Sequence, residues 1–93
     1  MKRVAIVILN WNGKHFLEKF LPEVIRFSND LARVVVADNA STDDSISFLE
    51  KNFPEVEIIR NDKNYGFTGG YNVALKNLKD EFFVLLNSDV EVT

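Results

Sequence analysis

The sequence predicts an α/β fold: a three-layer α/β/α sandwich around a parallel sheet of strand order 3-2-1-4. Three observations lead there. Short apolar runs over residues 4–9, 33–38, 56–60 and 82–86 have the length and β-branched content of buried strands. Between them lie stretches with apolar residues at helical spacing. Turn formers follow the runs, so strands and helices alternate, which implies βαβ units, right-handed crossovers and parallel neighbours.

Residues 4–9 are continuously apolar and read as a central strand. With Met1-Lys2-Arg3 ahead of it, the N-terminus begins like a signal peptide. The run is only six residues long before it meets Asn10-Trp11-Asn12-Gly13, so a strand is the better reading. That polar turn carries an aromatic. Residues 14–27 place Phe16, Leu17, Phe20, Leu21, Val24 and Ile25 at helical spacing, and Pro22 predicts a kink or two short helices. Ser28-Asn29-Asp30 forms a loop, and the run 33–38 then stops abruptly at Asp38.

Asn39, Ala40 and Ser41 turn the chain. Ser41 or Thr42 is the expected cap of a helix over 43–53, with Asp43 and Asp44 favourably placed in its first turn. Ile46, Leu49 and Phe53 form its inner stripe and Pro54 closes it. A third strand, 56–60, leads into Asn61-Asp62-Lys63-Asn64-Tyr65-Gly66, dense in turn formers. Thr68 is the expected cap of a third helix over 69–78, with Tyr71, Ala74, Leu75 and Leu78 facing inward. The fourth strand, 82–86, ends in Asn87-Ser88-Asp89, after which Val90-Glu91-Val92-Thr93 alternates.

Ninety-three residues make one small domain, able to bury about 60–65% of its unfolded surface. A hydrophobic fraction of 46% argues against disorder. The net charge of −3, from 11 basic and 14 acidic residues, gives no electrostatic footprint for nucleic acid or an anionic membrane. The absence of cysteine excludes disulfides and thiolate metal sites. No segment reaches transmembrane length.

With order 3-2-1-4, the sheet's switch point lies between strands 1 and 4, where ligands bind at the carboxyl edge. Trp11, Asp38, the 61–66 turn and Asp89 all fall on that edge. An aromatic there can stack a nucleobase. A strand-end carboxylate can accept the imide N–H of a pyrimidine, and Asp89 can hold a hard divalent cation on phosphate oxygens, with Glu91 on the same face. Trp11 suits a strand-end core position as well as a stacking platform. Gly66, Gly69 and Gly70 permit the turn and close helix packing, and His15 is expected to face solvent. No G-x-G-x-x-G follows the first strand and no P-loop is present.

Four blocks carry a family resemblance. Ile6-Val7-Ile8-Leu9-Asn10-Trp11-Asn12-Gly13, Val36-Ala37-Asp38-Asn39-Ala40-Ser41-Thr42-Asp43, Asn64-Tyr65-Gly66-Phe67-Thr68-Gly69-Gly70-Tyr71-Asn72 and Leu85-Leu86-Asn87-Ser88-Asp89-Val90-Glu91-Val92 resemble, in order, the family-2 glycosyltransferases of GT-A fold. The likeness looks nearest to the rhamnosyltransferase-like branch of cell-surface polysaccharide synthesis. It implies an inverting transfer from a nucleotide-diphosphate sugar, of UDP or dTDP type, to a glycan acceptor. A cytoplasmic location, or one at the inner membrane face, is also implied.

By that resemblance Trp11 stacks on the base and Asp38 contacts it. Leu9, Asn10, Asn39, Gly66 and Asn72 join them as nucleotide-binding candidates, with Asn72 equally able to face solvent. Asn87-Ser88-Asp89 occupies the Asp-X-Asp position that meets ribose, metal and diphosphate. Asn87 replaces the first acid there, so Asp89 is the expected ligand of Mn²⁺ or Mg²⁺. The family's general base lies beyond the Asp-X-Asp strand, so none is expected within these residues. Residues 1–93 then correspond to the nucleotide-sugar-binding half, with the acceptor-binding half outside them and no sugar transfer expected from this half alone. A non-catalytic α/β nucleotide-binding or protein-association module is the alternative, and an exposed fourth strand makes a homodimer through that edge an expected partner arrangement.

Overall fold

Four β-rich runs pair side by side, and the amphipathic stretches between them fold onto the two faces of the resulting sheet. The structure, a computed structural model, describes residues 4–28, 32–76, 78–80 and 82–87. In chain order the elements are β1 (Val4–Asn10), α1 (Lys14–Ser28), β2 (Ala32–Asp38), α2 (Ser45–Asn52), β3 (Glu57–Arg60), α3 (Gly66–Leu75) and β4 (Phe82–Asn87). The sheet has order β3-β2-β1-β4 and every pair is parallel, as expected. Ile6 lies opposite Val34 on one side and Val84 on the other.

Side chains alternate along a strand, so β1 and β2 feed two cores. Ala5, Val7 and Leu9 with Val35 and Ala37 pack on one face against Tyr71 and Ala74 of α3. Ile8, Val34 and Val36 pack on the other face against Leu17 and Leu21 of α1 and Leu49 of α2. The result is three layers. Leu17, Leu21 and Leu49 are fully buried, which stabilises the fold by roughly 1.5–3 kcal/mol each.

Several boundaries differ from the sequence expectation, each for a local reason. β1 and β4 run on into Asn10 and Asn87, because the parallel ladder pairs Asn10 with Asp38 and Leu9 with Asn87. α1 is one helix through Pro22 rather than two. Proline cannot donate to the Glu18 carbonyl, but burial of Leu17 and Leu21 on the turn before it holds the helix to the sheet. α2 starts at Ser45, not Asp43, and neither Ser41 nor Thr42 caps it. Asp43 Oδ1 instead accepts the Ser45 N–H at 2.9 Å. α3 spans Gly66–Leu75 rather than 69–78, so Thr68 lies within it. Its first turn is set by Asn64 Oδ1, which accepts the Gly66 N–H at 2.9 Å. The Tyr71 hydroxyl donates to the Leu86 carbonyl oxygen, tying α3 to β4.

The amino edge of the sheet carries an ionic clasp. Arg33 of β2 donates to both carboxylate oxygens of Asp80, from Nε at 3.0 Å and Nη2 at 2.6 Å. Its Nη1 reaches Glu57 of β3 at 2.6 Å. The hydrogen bonds and charge of Arg33 hold the Asp80 carboxyl below its usual range against the opposing effect of burial. The same bonds, which Arg33 donates to Asp80, raise the guanidinium's own pKa. The clasp joins β2, β3 and the segment entering β4.

Candidate functional site at the carboxyl edge

Strand parallelism brings the ends of β1, β2 and β3 to one edge, where each apolar run gives way to buried polar side chains. Asn10 is 0% exposed, Asp38 and Asn39 are 2%, and Asn61 is 7%. Such burial is tolerable only with hydrogen-bond partners. Asp38 accepts from Asn10 Nδ2 at 2.9 Å and from the Ser41 hydroxyl at 2.6 Å on Oδ1, and from the Ser41 N–H at 2.9 Å on Oδ2. A carboxylate has about four lone-pair sites, so among the described residues one on Oδ2 is left.

Asn39 sits between two partners. Its Nδ2 donates to the Gly66 carbonyl oxygen at 3.1 Å, and its Oδ1 accepts from Asn61 Nδ2 at 2.7 Å. Backbone bonds run parallel to this, from Asn39 N–H to the Asn10 carbonyl and from Asn61 N–H to the Asp38 carbonyl, both 2.8 Å. The end of β2 is thereby fastened to the start of α3. Gly66 has φ +77°, a conformation glycine adopts without strain. Gly70 presents its bare α-carbon to the Asn39 amide. A Cβ there would lie 2.6 Å from Asn39 Nδ2 and 2.7 Å from Leu9 Cδ1.

Above this buried layer, two loops lie side by side. Asn12 and Ala40 both adopt the left-handed conformation, φ 53° and 58°. Asn visits it readily and Ala at a cost of about 1–2 kcal/mol, so the surroundings must enforce the Ala40 geometry. The Asn12 side chain reaches across to the backbone of Thr42 and Asp43. The Lys14 N–H donates to Asp43 Oδ2 at 3.3 Å. Partial burial pushes the Asp43 carboxyl upward, but bonds from Ser45 and Lys14 outweigh it and hold the group below its usual range. Trp11 stands out from the paired loops, 47% exposed.

The structure therefore brings Asn10, Trp11, Asp38, Asn39 and Gly66 into one connected edge, with Leu9 beneath, 3% exposed and opposite Asn87 across the ladder. Asn72 is exposed on α3 and, among the described residues, shares no hydrogen bond with this edge. Ser88, Asp89 and Glu91 lie outside the described residues. Among the described residues no three His, Cys, Asp or Glu side chains gather as a metal site, and no helix is long and apolar enough to cross a membrane. The sequence alone does not single out Asn12 or Gly70 as site residues, reaches Asn61 only as part of the 61–66 turn, and offers Ser41 or Thr42 as a helix cap. The density of Asn in the turns after β1, β2 and β3 was the available signal.

The arrangement is a parallel α/β sheet with a polar, aromatic-bearing carboxyl edge, as in GT-A glycosyltransferases. The sequence profile of Glycosyl transferase family 2 matches residues 5–93, and the chain belongs to that family. It is similar to the poly(ribitol-phosphate) β-N-acetylglucosaminyltransferase TarS of Staphylococcus aureus, 28% identical over 94 residues, 96% of this chain and 16% of that protein. An uncharacterized glycosyltransferase of Haemophilus influenzae is 24% identical over 89 residues, 92% of this chain and 28% of that one. Among solved structures, TarS 1–349 with UDP-GlcNAc superposes with TM-score 0.75 at 28% identity, covering 96% of this chain and 27% of that one. The mannosyltransferase PcManGT of Pyrobaculum calidifontis, in complex with GDP-Man and Mn²⁺, shares the fold with TM-score 0.77 at 24% identity, covering 94% and 27%. The chain spans under a third of the length of each of these relatives.

Proposed function

We propose that residues 1–93 form the donor-nucleotide-binding half of an inverting glycosyltransferase that moves a sugar from a UDP- or dTDP-type donor to a cell-surface glycan. The observation that carries this reading is Trp11, 47% exposed on a loop pinned over the buried carboxyl edge of the sheet. A planar ring held there is a stacking surface for a nucleobase. The free lone-pair site of Asp38 Oδ2 suits a base imide N–H, while the rest of that carboxylate fixes the Ser41 turn. Leu9, Asn10, Asn39, Gly66, Asn72, Asn87 and Ser88 complete the proposed nucleotide contacts. Complexes of TarS with UDP and UDP-GlcNAc, and of PcManGT with GDP-Man, support a nucleotide-diphosphate sugar as donor, with UDP or dTDP the proposed type.

Asp89 would hold Mn²⁺ or Mg²⁺, and that cation supplies charge neutralisation to a departing diphosphate. A single carboxylate beside the Asn87 amide suits a hard cation that keeps several waters and takes its other ligands from phosphate. Inverting transfer also needs a base to take the proton of the acceptor hydroxyl as it attacks. Asp38 is engaged with Asn10 and Ser41, which leaves it poorly placed to act as that base.

The test is titration of the chain with UDP and dTDP, with and without Mn²⁺, read by fluorescence of its only Trp. Quenching by UDP at up to millimolar concentration, tightened by Mn²⁺ and lost in Asp38→Ala, is expected. No spectral or melting response to any nucleotide would defeat the reading. The competing view, a module for protein association, draws on β4, where Phe82, Val84 and Leu85 are 62%, 46% and 44% exposed.

A further inference from the structure

The turn after β1 carries one aromatic between two residues that are both tied down. On one side Asn10 is fully buried, its Nδ2 donating to Asp38 and, at 3.2 Å, to Ser41 Oγ. On the other side Asn12 is clasped to the facing loop. Its N–H donates to Ser41 Oγ at 2.9 Å. Its Oδ1 accepts the N–H of Thr42 at 2.7 Å and of Asp43 at 3.1 Å. Its Nδ2 reaches Thr42 Oγ1 at 3.2 Å. Two backbone donors face a single side-chain atom, which identifies that atom as the amide oxygen.

We propose that Asn12 is a positioning residue, which fixes the orientation of Trp11 for a stacked planar ligand. The ligand part of this rests on the nucleotide reading above. Asn12 is not the cap of α1: its side chain points to the other loop, and the Leu17 N–H takes the Gly13 carbonyl at 3.0 Å. The exposed N–H groups of Thr42 and Asp43 could be satisfied by water, so the helix and the sheet do not require the clasp. Its effect is to remove freedom from the backbone on which Trp11 stands. A ring ordered before binding loses less entropy when a ligand stacks on it. The left-handed backbone at Asn12, φ 53°, lets its side chain fold back across the gap, and Asn adopts that conformation at little cost.

The sole Trp lies in the clasped turn and reports on it directly. Asn12→Gly keeps the left-handed backbone and the N–H bond to Ser41 Oγ but loses the side-chain contacts to Thr42 and Asp43; Asn12→Ala loses the same contacts on a less permissive backbone; Asn12→Asp keeps the acceptor oxygen. Circular dichroism checks the fold, and Trp11 anisotropy and acrylamide quenching check the loop. Asn12→Gly is expected to quench about twofold more readily and to bind UDP about tenfold more weakly, with Asn12→Asp near wild type in both. Unchanged quenching and anisotropy in a folded Asn12→Gly would overturn the proposal, as would a loosened Trp11 with undiminished UDP affinity. If Asn12→Gly and Asn12→Ala both fail to fold, the residue is structural and the proposal falls. A wild-type chain without any UDP response defeats the nucleotide reading alone, since the quenching comparison still decides the role of Asn12.

Discussion

Asn39 and Gly70 are a matched pair: the amide of one fills the space that the missing side chain of the other leaves open. Gly70→Ala would drive a methyl group to within 2.9 Å of both polar atoms of that amide and against Leu9. Overpacking of this kind costs about 1–3 kcal/mol. Thermal denaturation should show a drop of roughly 4–8 °C for each kcal/mol in a domain this small. A variant melting with the wild type would show that α3 shifts freely to make room. The contrast between Asp38 and Gly70 also explains what could be read without coordinates. An acid that ends a Val-rich run announces itself, as does an aromatic in a polar turn. The bonds of Asn12 to residues 42 and 43, and of Asn61 to Asn39, join positions more than twenty apart, and no local pattern encodes them.

Elements were legible where periodicity was strong and their ends were not. All four strands and three helices could be placed because each buries a face whose spacing is written in the chain. Pro22 predicts a kink or two short helices; the helix stays one, since burial of Leu17 and Leu21 outweighs the one lost helical hydrogen bond. The starts of α2 and α3 differ from expectation because Asp43 and Asn64, rather than Ser41 or Thr42 and Thr68, take up the first free N–H groups. The Arg33 clasp was invisible, since nothing local links residue 33 to residue 80. It makes a pH prediction. Asp80 has its folded-state pKa lowered, chiefly by the hydrogen bond from Arg33, so its stabilisation is present above the ordinary carboxylate value of 3.8 and is lost as pH falls through the lowered one. Arg33→Met leaves the Asp80 side chain, only 5% exposed, without its main donor, at a cost of about 1–3 kcal/mol at neutral pH. Melting curves from pH 7 to pH 2 should therefore converge for wild type and Arg33→Met at the acid end. Curves that stay parallel would remove the clasp from the stability of the fold.

For the whole molecule, the uneven feature is β4. It closes one side of the sheet with Phe82 and Val84 turned to one face and Leu85 to the other, all substantially exposed. A strand edge of this kind pairs readily with another chain. The 93-residue chain is expected to self-associate in light scattering as its concentration rises, and Val84→Lys is expected to shift it toward monomer. A clean monomer throughout would refute that. The strand order has a further consequence, for the time at which the protein can fold. β1 sits in the middle of the sheet, but Val4 pairs with Ala32 on one side and with Phe82 on the other. On a ribosome adding about 5–20 residues per second, the second flank of β1 waits roughly 4–16 s after the first strand is made before its neighbour exists. For that interval the most apolar strand of the nascent chain has one open side, and whatever shields it then decides how much of the protein reaches the folded state.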